Sequence, residues 1–89
     1  MIRSFHDADT EAIFRQQLVR RFQAISTVGL RRLVQIDSAE ELRDLAMNRL
    51  EALKGDRRGQ YSVLINDQYR VCFRWKDGDA FEVEIADYH

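Results

Sequence analysis

At 89 residues, with 14 basic and 15 acidic side chains and a formal net charge of −1, the chain has room for one domain, residues 1–89, around a single core. Its ordinary apolar content argues against disorder. The lone Cys72 excludes an internal disulfide, and no apolar run approaches membrane-spanning length, so a cytoplasmic protein without a signal peptide is expected. The small net charge argues mildly against nucleic-acid binding, but its distribution argues the other way. Residues 15–34 carry five arginines and no acid, residues 49–76 carry seven bases against three acids, and residues 35–48 and 77–89 are acidic. Such segregation either builds a cationic surface on a near-neutral protein or marks ordinary solvated faces.

In chain order, Met1–Phe5 reads as a short strand. Asp7 or Asp9 caps a helix through Ala12, Ile13 and Phe14, and the acids Asp7, Asp9 and Glu11 favour its first turn. From Leu18 the apolar positions Leu18, Phe22, Ile25, Gly29, Leu33 and Ile36 fall three and four apart, predicting one long helix. Gly29 costs roughly 1 kcal/mol of helicity against alanine and allows close packing on a sheet. Arg15, Arg20, Arg21, Arg31 and Arg32 lie off that stripe, as solubilising charges or as phosphate contacts. Ser38 followed by Glu41 has capping-box spacing and starts a short helix through Leu42 and Leu45.

A short apolar run, Leu50 to Leu53, leads to Lys54-Gly55 and a cationic loop, Asp56-Arg57-Arg58-Gly59. Tyr61, Val63, Ile65 and then Tyr69, Val71, Phe73, Trp75 alternate as two strands of a hairpin, with Asn66 or Asp67 free to take positive φ in the turn. A three-residue loop sets Ile65 opposite Tyr69, Val63 opposite Val71 and Tyr61 opposite Phe73. That register gives one apolar face, and Ser62, Leu64, Arg70, Cys72 and Arg74 on the other. Asp77-Gly78 makes the next turn, and Phe81, Val83 and Ile85 form the inward face of a last strand.

The stretches LEALKGDRRGQYS, INDQYRVCF and VEIADYH resemble the HigB branch of the RelE/ParE superfamily of bacterial toxins, and the likeness extends weakly through IRSF and the long helix. It implies an α+β, RelE/ParE-like fold in the order β-α-α-β-β-β, with an antiparallel-dominated sheet packed on one side by helices. It also implies a type II toxin that cuts mRNA on the ribosome. The expected partners are the ribosome, mRNA and a cognate helix-turn-helix antitoxin of HigA type, through which alone operator DNA is reached. Two departures stand out: residues 46–49 form a shortened linker without the expected proline, and Leu64 replaces an arginine common in relatives.

The implied reaction is attack of a ribose 2′-OH on the adjacent phosphate, which needs a proton acceptor, a proton donor and cations, but no metal or cofactor. No His/Cys/Asp cluster has zinc-ligand spacing. The terminal Asp87-Tyr88-His89 matches the family's ending. It makes His89 the candidate acid, Tyr88 a residue that positions phosphate or stacks on a base, and Asp87 an orienting carboxylate. Arg70, on a central strand, and Lys54, closing a strand beside a glycine, are the candidates for transition-state charge; Arg70 could instead pair with Glu84. Arg57, Arg58 and Arg74 are candidate RNA contacts, and His6 reads as surface. A ParE-like, non-enzymatic gyrase inhibitor and a weakened toxin serving mainly as antitoxin partner and co-repressor are the alternatives.

Overall fold

The computed structural model describes residues 1–88. Helix α1 (Ala8–Phe14) begins at Asp7, whose carboxylate accepts from the Thr10 N–H at 2.8 Å. Buried Thr10 also accepts from the Ile85 N–H at 2.9 Å through its hydroxyl oxygen, pinning the helix to the sheet. The long helix expected from Leu18 onward is divided. Gln16 takes a left-handed backbone (φ 62°), a 3-10 turn covers Arg20–Ile25, and helix α2 runs only over Ser26–Ser38. Leu18 is therefore 77% exposed, whereas Phe22, Ile25, Gly29, Leu33 and Ile36 are buried as the periodicity predicts.

A second 3-10 segment, Leu42–Asn48, follows. Its capping box is Glu41 with Asp44, not Ser38 with Glu41: Ser38 is consumed as the last residue of α2, and Asp44 accepts from the Glu40 and Glu41 N–H groups. Arg49, left-handed at φ 55°, then turns the chain into the sheet.

The sheet has four antiparallel strands in the order β1 (Glu51–Ala52), β2 (Tyr61–Leu64), β3 (Tyr69–Lys76) and β4 (Asp79–Asp87). The expected opening strand survives only as two parallel bridges, Ile2 to Ala80 and Phe5 to Val83, along the free edge of β4. The β2–β3 register is the one alternation predicted: Val63 lies opposite Val71, Tyr61 opposite Phe73, and the Ile65 N–H reaches the Tyr69 carbonyl at 3.0 Å. Neither Asn66 nor Asp67 takes positive φ in that turn; the Asn66 side chain closes it by accepting from the Gln68 and Tyr69 N–H groups. Asp77 and Gly78, at φ 53° and 83°, form the tight β3–β4 turn.

Helices cover one face. Phe22, Leu33, Ile36 and Leu45 meet Val63, Val71, Phe73 and Val83 in the core, and a Cβ on Gly29 would stand 3.6 Å from Ile85 Cδ1, an ordinary van der Waals contact, so the approach of α2 to β4 does not require a glycine there. The alternation expected of β4 fails at one point. A bulge falls between the Cys72–Glu84 and Arg74–Phe81 pairs, with Glu82 left-handed at φ 53°. The extra residue reverses the strand's parity. Ala80, not Phe81, therefore joins Val83 and Ile85 in the core, and Phe81 sits opposite Arg74 on the other face.

Candidate functional site

The face turned away from the helices carries Ser62 and Leu64 from β2, Arg70, Cys72 and Arg74 from β3, and Glu84 and Ala86 from β4, by the registers above. It is not bare. Leu53 packs with Cys72 and Ala86 in a small apolar cluster, which brings the loop between β1 and β2 down onto it. Burial beneath this loop pushes the Cys72 thiol up, against the opposing effect of Arg57 and Arg70. At neutral pH it is a protonated, packed group and no nucleophile.

Arg70 lies near the centre with its side chain 15% exposed. Its guanidinium donates to Ser62 Oγ at 3.2 Å, faces Glu51 Oε1 at 3.4 Å, and lies 5.3 Å from the centre of the Tyr88 ring. The pairing with Glu84 raised by the sequence is absent. Glu84 instead holds Arg57, whose Nη1 lies 3.1 Å from Glu84 Oε1 and 3.1 Å from Gln60 Oε1. That hydrogen bond raises the Arg57 pKa above its ordinary value, so the side chain is a permanent cation. The 3-10 turn Gly55–Arg57 brings Arg57 across β3 to β4.

The remaining candidates divide into two groups. Arg74 pairs with Glu82 at 2.6 Å, and Gly59 lies so close above it that an added Cβ would stand 2.9 Å from Arg74 Nη1. Asp87 accepts from Gln68 Nε2 at 3.1 Å, and the Tyr88 N–H donates to the Gln68 carbonyl at 2.6 Å, tying the end of β4 to the β2–β3 turn. Lys54 and Arg58 are exposed on the loop, with no side-chain hydrogen bond or ion pair among the described residues. His89 lies outside the described residues. Of the helical arginines, Arg15 and Arg21 pair with Glu11 and Asp9, and Arg32 donates to the Leu64 carbonyl at 2.8 Å. Arg20 and Arg31 carry no such partner among the described residues.

Three residues to which the sequence assigned no role at the site, Ser62 being placed on this face and His6 read as surface, belong to it. Glu51 and Ser62 lie opposite each other across β1 and β2 and share Arg70. His6 stands 3.9 Å from the second Glu84 oxygen. Alternation in Tyr61–Ile65 places Ser62, but nothing in the apolar run Leu50–Leu53 signals that Glu51 faces an arginine 19 residues away. The resulting arrangement is a fixed guanidinium with a carboxylate on one side, a phenol ring on the other and a second arginine across the strand. It suits a tetrahedral anion with a proton to lose nearby.

A family model described as the RelE-like toxin of type II toxin-antitoxin system HigB matches residues 3–89. The chain is similar to an Endoribonuclease HigB of Proteus vulgaris, 32% identical over the full length of both proteins. It is also similar to a Toxin HigB-1 of Vibrio cholerae, 35% identical over 65 residues, covering 70% of this chain and 68% of that one. Among solved structures, the fold resembles a chain of the YoeB-YefM complex from Staphylococcus aureus, with a TM-score of 0.63, 19% identity, and coverage of 100% of this chain and 98% of the other.

Proposed function

The chain belongs to the HigB-like family, the RelE-like toxins of type II toxin-antitoxin systems, and from that membership and the site's geometry we propose that it is an endoribonuclease cutting mRNA on the translating ribosome. The full-length likeness to an endoribonuclease supports the activity. The observation that carries the assignment of the site is Arg70, held by Ser62 and Glu51 under the Tyr88 ring.

In the reaction, the ribose 2′-OH loses its proton and attacks the adjacent phosphorus; the P–O5′ bond breaks and the leaving 5′-oxygen takes up a proton. Arg70 stabilises the charge gathered on the non-bridging oxygens, and Arg57 or Lys54 adds a second cation. Glu51, exposed and beside Arg70, is placed to accept the 2′ proton when phosphate takes its place on the guanidinium. Tyr88 orients the phosphate or stacks on a base, with His89 as the acid and Asp87 as its orienting group. Arg58, Arg20 and Arg31 supply docking charge toward ribosomal RNA. An antitoxin silences the protein, and a helix-turn-helix partner of HigA type fits the family.

Primer extension on mRNA from cells expressing the protein alone tests this reading. Cuts inside translated codons are expected. Intact mRNA with arrested gyrase would overturn it in favour of a ParE-like inhibitor, and intact mRNA in normally growing cells would mark a weakened toxin.

A further inference from the structure

Strand β4 ends at Asp87, which pairs with Tyr69, the first residue of β3. A chain that stopped pairing there would fray from that point. Instead the β2–β3 turn reaches over it. The Tyr88 N–H, one residue beyond the strand, donates to the Gln68 carbonyl at 2.6 Å, and Gln68 Nε2 donates to Asp87 Oδ2 at 3.1 Å. One turn residue thus holds two consecutive residues of the terminal segment, one through its backbone and the other through its side chain.

The turn is itself fixed. Asn66 Oδ1 accepts from the Gln68 N–H at 2.9 Å and from the Tyr69 N–H at 2.8 Å, while the Ile65 and Asn66 N–H groups both reach the Tyr69 carbonyl. Tyr69, at the exit of the turn, meets buried Phe22 edge-on with ring centres 5.7 Å apart, which anchors the turn to the core. Asn66 and Gln68 are exposed and stand outside the core cluster, so their bonds are not what closes the core. What they hold is specific. Alternation along the end of β4 puts Glu84, Ala86 and Tyr88 on the outer face, and the Tyr88 ring stands 5.3 Å from the Arg70 guanidinium. Arg70 lies two residues after Gln68, so the same turn fixes the start of Arg70's strand and the place of Tyr88. Without the clasp, a single exposed cation–π contact would be left to keep Tyr88 there, and that is a weak restraint.

We propose that Asn66 and Gln68 are positioning residues: Asn66 locks the turn, and Gln68 clasps the Asp87–Tyr88 segment so that Tyr88, with His89 next in the chain, is held against Arg70. The effect on rate rests on the nuclease reading, whereas the clasp itself is tested without RNA. In the full chain, amide exchange followed by NMR reads the Tyr88 N–H directly. Asn66→Ala frees the turn and Gln68→Glu sets a carboxylate against Asp87, so each should lose Tyr88 protection. The Val83 and Ile85 amides, bonded to Ser4 and Thr10 farther along β4, should stay protected. Asn66→Asp keeps the acceptor oxygen and should keep the protection. On programmed ribosomes, Asn66→Ala and Gln68→Glu should lower kcat roughly 10- to 100-fold with KM unchanged, the cost of displaced reacting groups, and Asn66→Asp should restore kcat. Tyr88 exchange that ignores both variants would overturn the clasp whatever happens to cleavage. Lost protection with an unchanged kcat, or with a loss confined to KM, would overturn the positioning role. A wild type that cuts no mRNA while its Tyr88 amide follows the turn would uphold the clasp and remove the nuclease reading alone.

Discussion

The guanidinium of Arg57, on the loop before β2, bonds the carboxylate of Glu84 on β4 at 3.1 Å and so spans β3 from one side to the other. Both side chains are mostly buried, at 31% and 20% exposure, so this pair differs from the surface pairs Arg15–Glu11 and Arg43–Glu41. Removing one partner leaves a half-buried charge uncompensated. Arg57→Ala should therefore destabilise the protein more than Arg57→Ala combined with Glu84→Gln. A double-mutant cycle by urea unfolding should return a coupling of about 1 kcal/mol; additive single variants would reduce the pair to a contact without energetic weight.

Arg70→Ala should abolish cleavage and leave the helix-facing core untouched, because Arg70 lies opposite Ala86 on the outer face. Losing a charge-assisted phosphate contact costs about 2–4 kcal/mol of transition-state stabilisation. Arg70→Lys should recover little, since one ammonium cannot serve Ser62, Glu51 and a phosphate in the same geometry. Single-turnover cleavage on programmed ribosomes, with circular dichroism as the fold control, measures both. Undiminished cleavage by folded Arg70→Ala would remove Arg70 as the clamp.

For His89, deletion or His89→Gln should slow cleavage by roughly 10²- to 10⁴-fold while sedimentation with ribosomes persists. Loss of binding along with cleavage would make His89 a docking residue, and unchanged cleavage would move the acid role to Tyr88.

Asp79 receives a hydrogen bond from Arg3, with their charged atoms 3.1 Å apart, and this holds its carboxyl below the usual carboxylate range. A depressed folded pKa means that the native state binds fewer protons than the unfolded chain between the two pKa values. The contribution is thus fully present above the unfolded carboxylate pKa and is lost as pH falls through the folded one. Asp79→Asn should lower the urea midpoint at pH 7 and narrow its difference from wild type in strong acid. A difference that stays constant from pH 7 into strong acid would contradict the linkage.

Thr10→Val removes the hydroxyl that accepts from the Ile85 N–H in a fully buried position. It should cost about 1–3 kcal/mol, the penalty for an orphaned buried donor. Thr10→Ser should recover most of that loss by keeping the acceptor. Equal losses in the two variants would assign the effect to the methyl group's packing instead.

The sequence by itself determined the features that depend on near neighbours. Strict alternation in Tyr61–Ile65 and Tyr69–Trp75 specified the hairpin register, because a slip of one residue would turn Val63 and Val71 to the solvent face. A cap at Asp7 or Asp9 was legible, and the structure places it at Asp7; Asp77-Gly78 was legible as a turn, since both features answer to local backbone chemistry. Family membership was readable from the loop and strand motifs together.

Tertiary structure decided what alternation and periodicity do not register. The spacing from Leu18 to Ile36 suits a helix throughout, but Leu18 and Val19 lie outside any helix and a 3-10 turn covers Arg20–Ile25 before α2 begins, leaving Leu18 exposed. A single bulge residue, Glu82, reversed the parity of β4 and exchanged Phe81 for Ala80 in the core. The charge partners also changed. Glu84 is three residues before Asp87 in sequence, yet its partner Arg57 arrives from a loop 27 residues away, and Arg70 turns to Glu51 on the far strand. Such pairings depend on which long side chains the folded backbone brings within reach, a distance that no local pattern in the chain encodes.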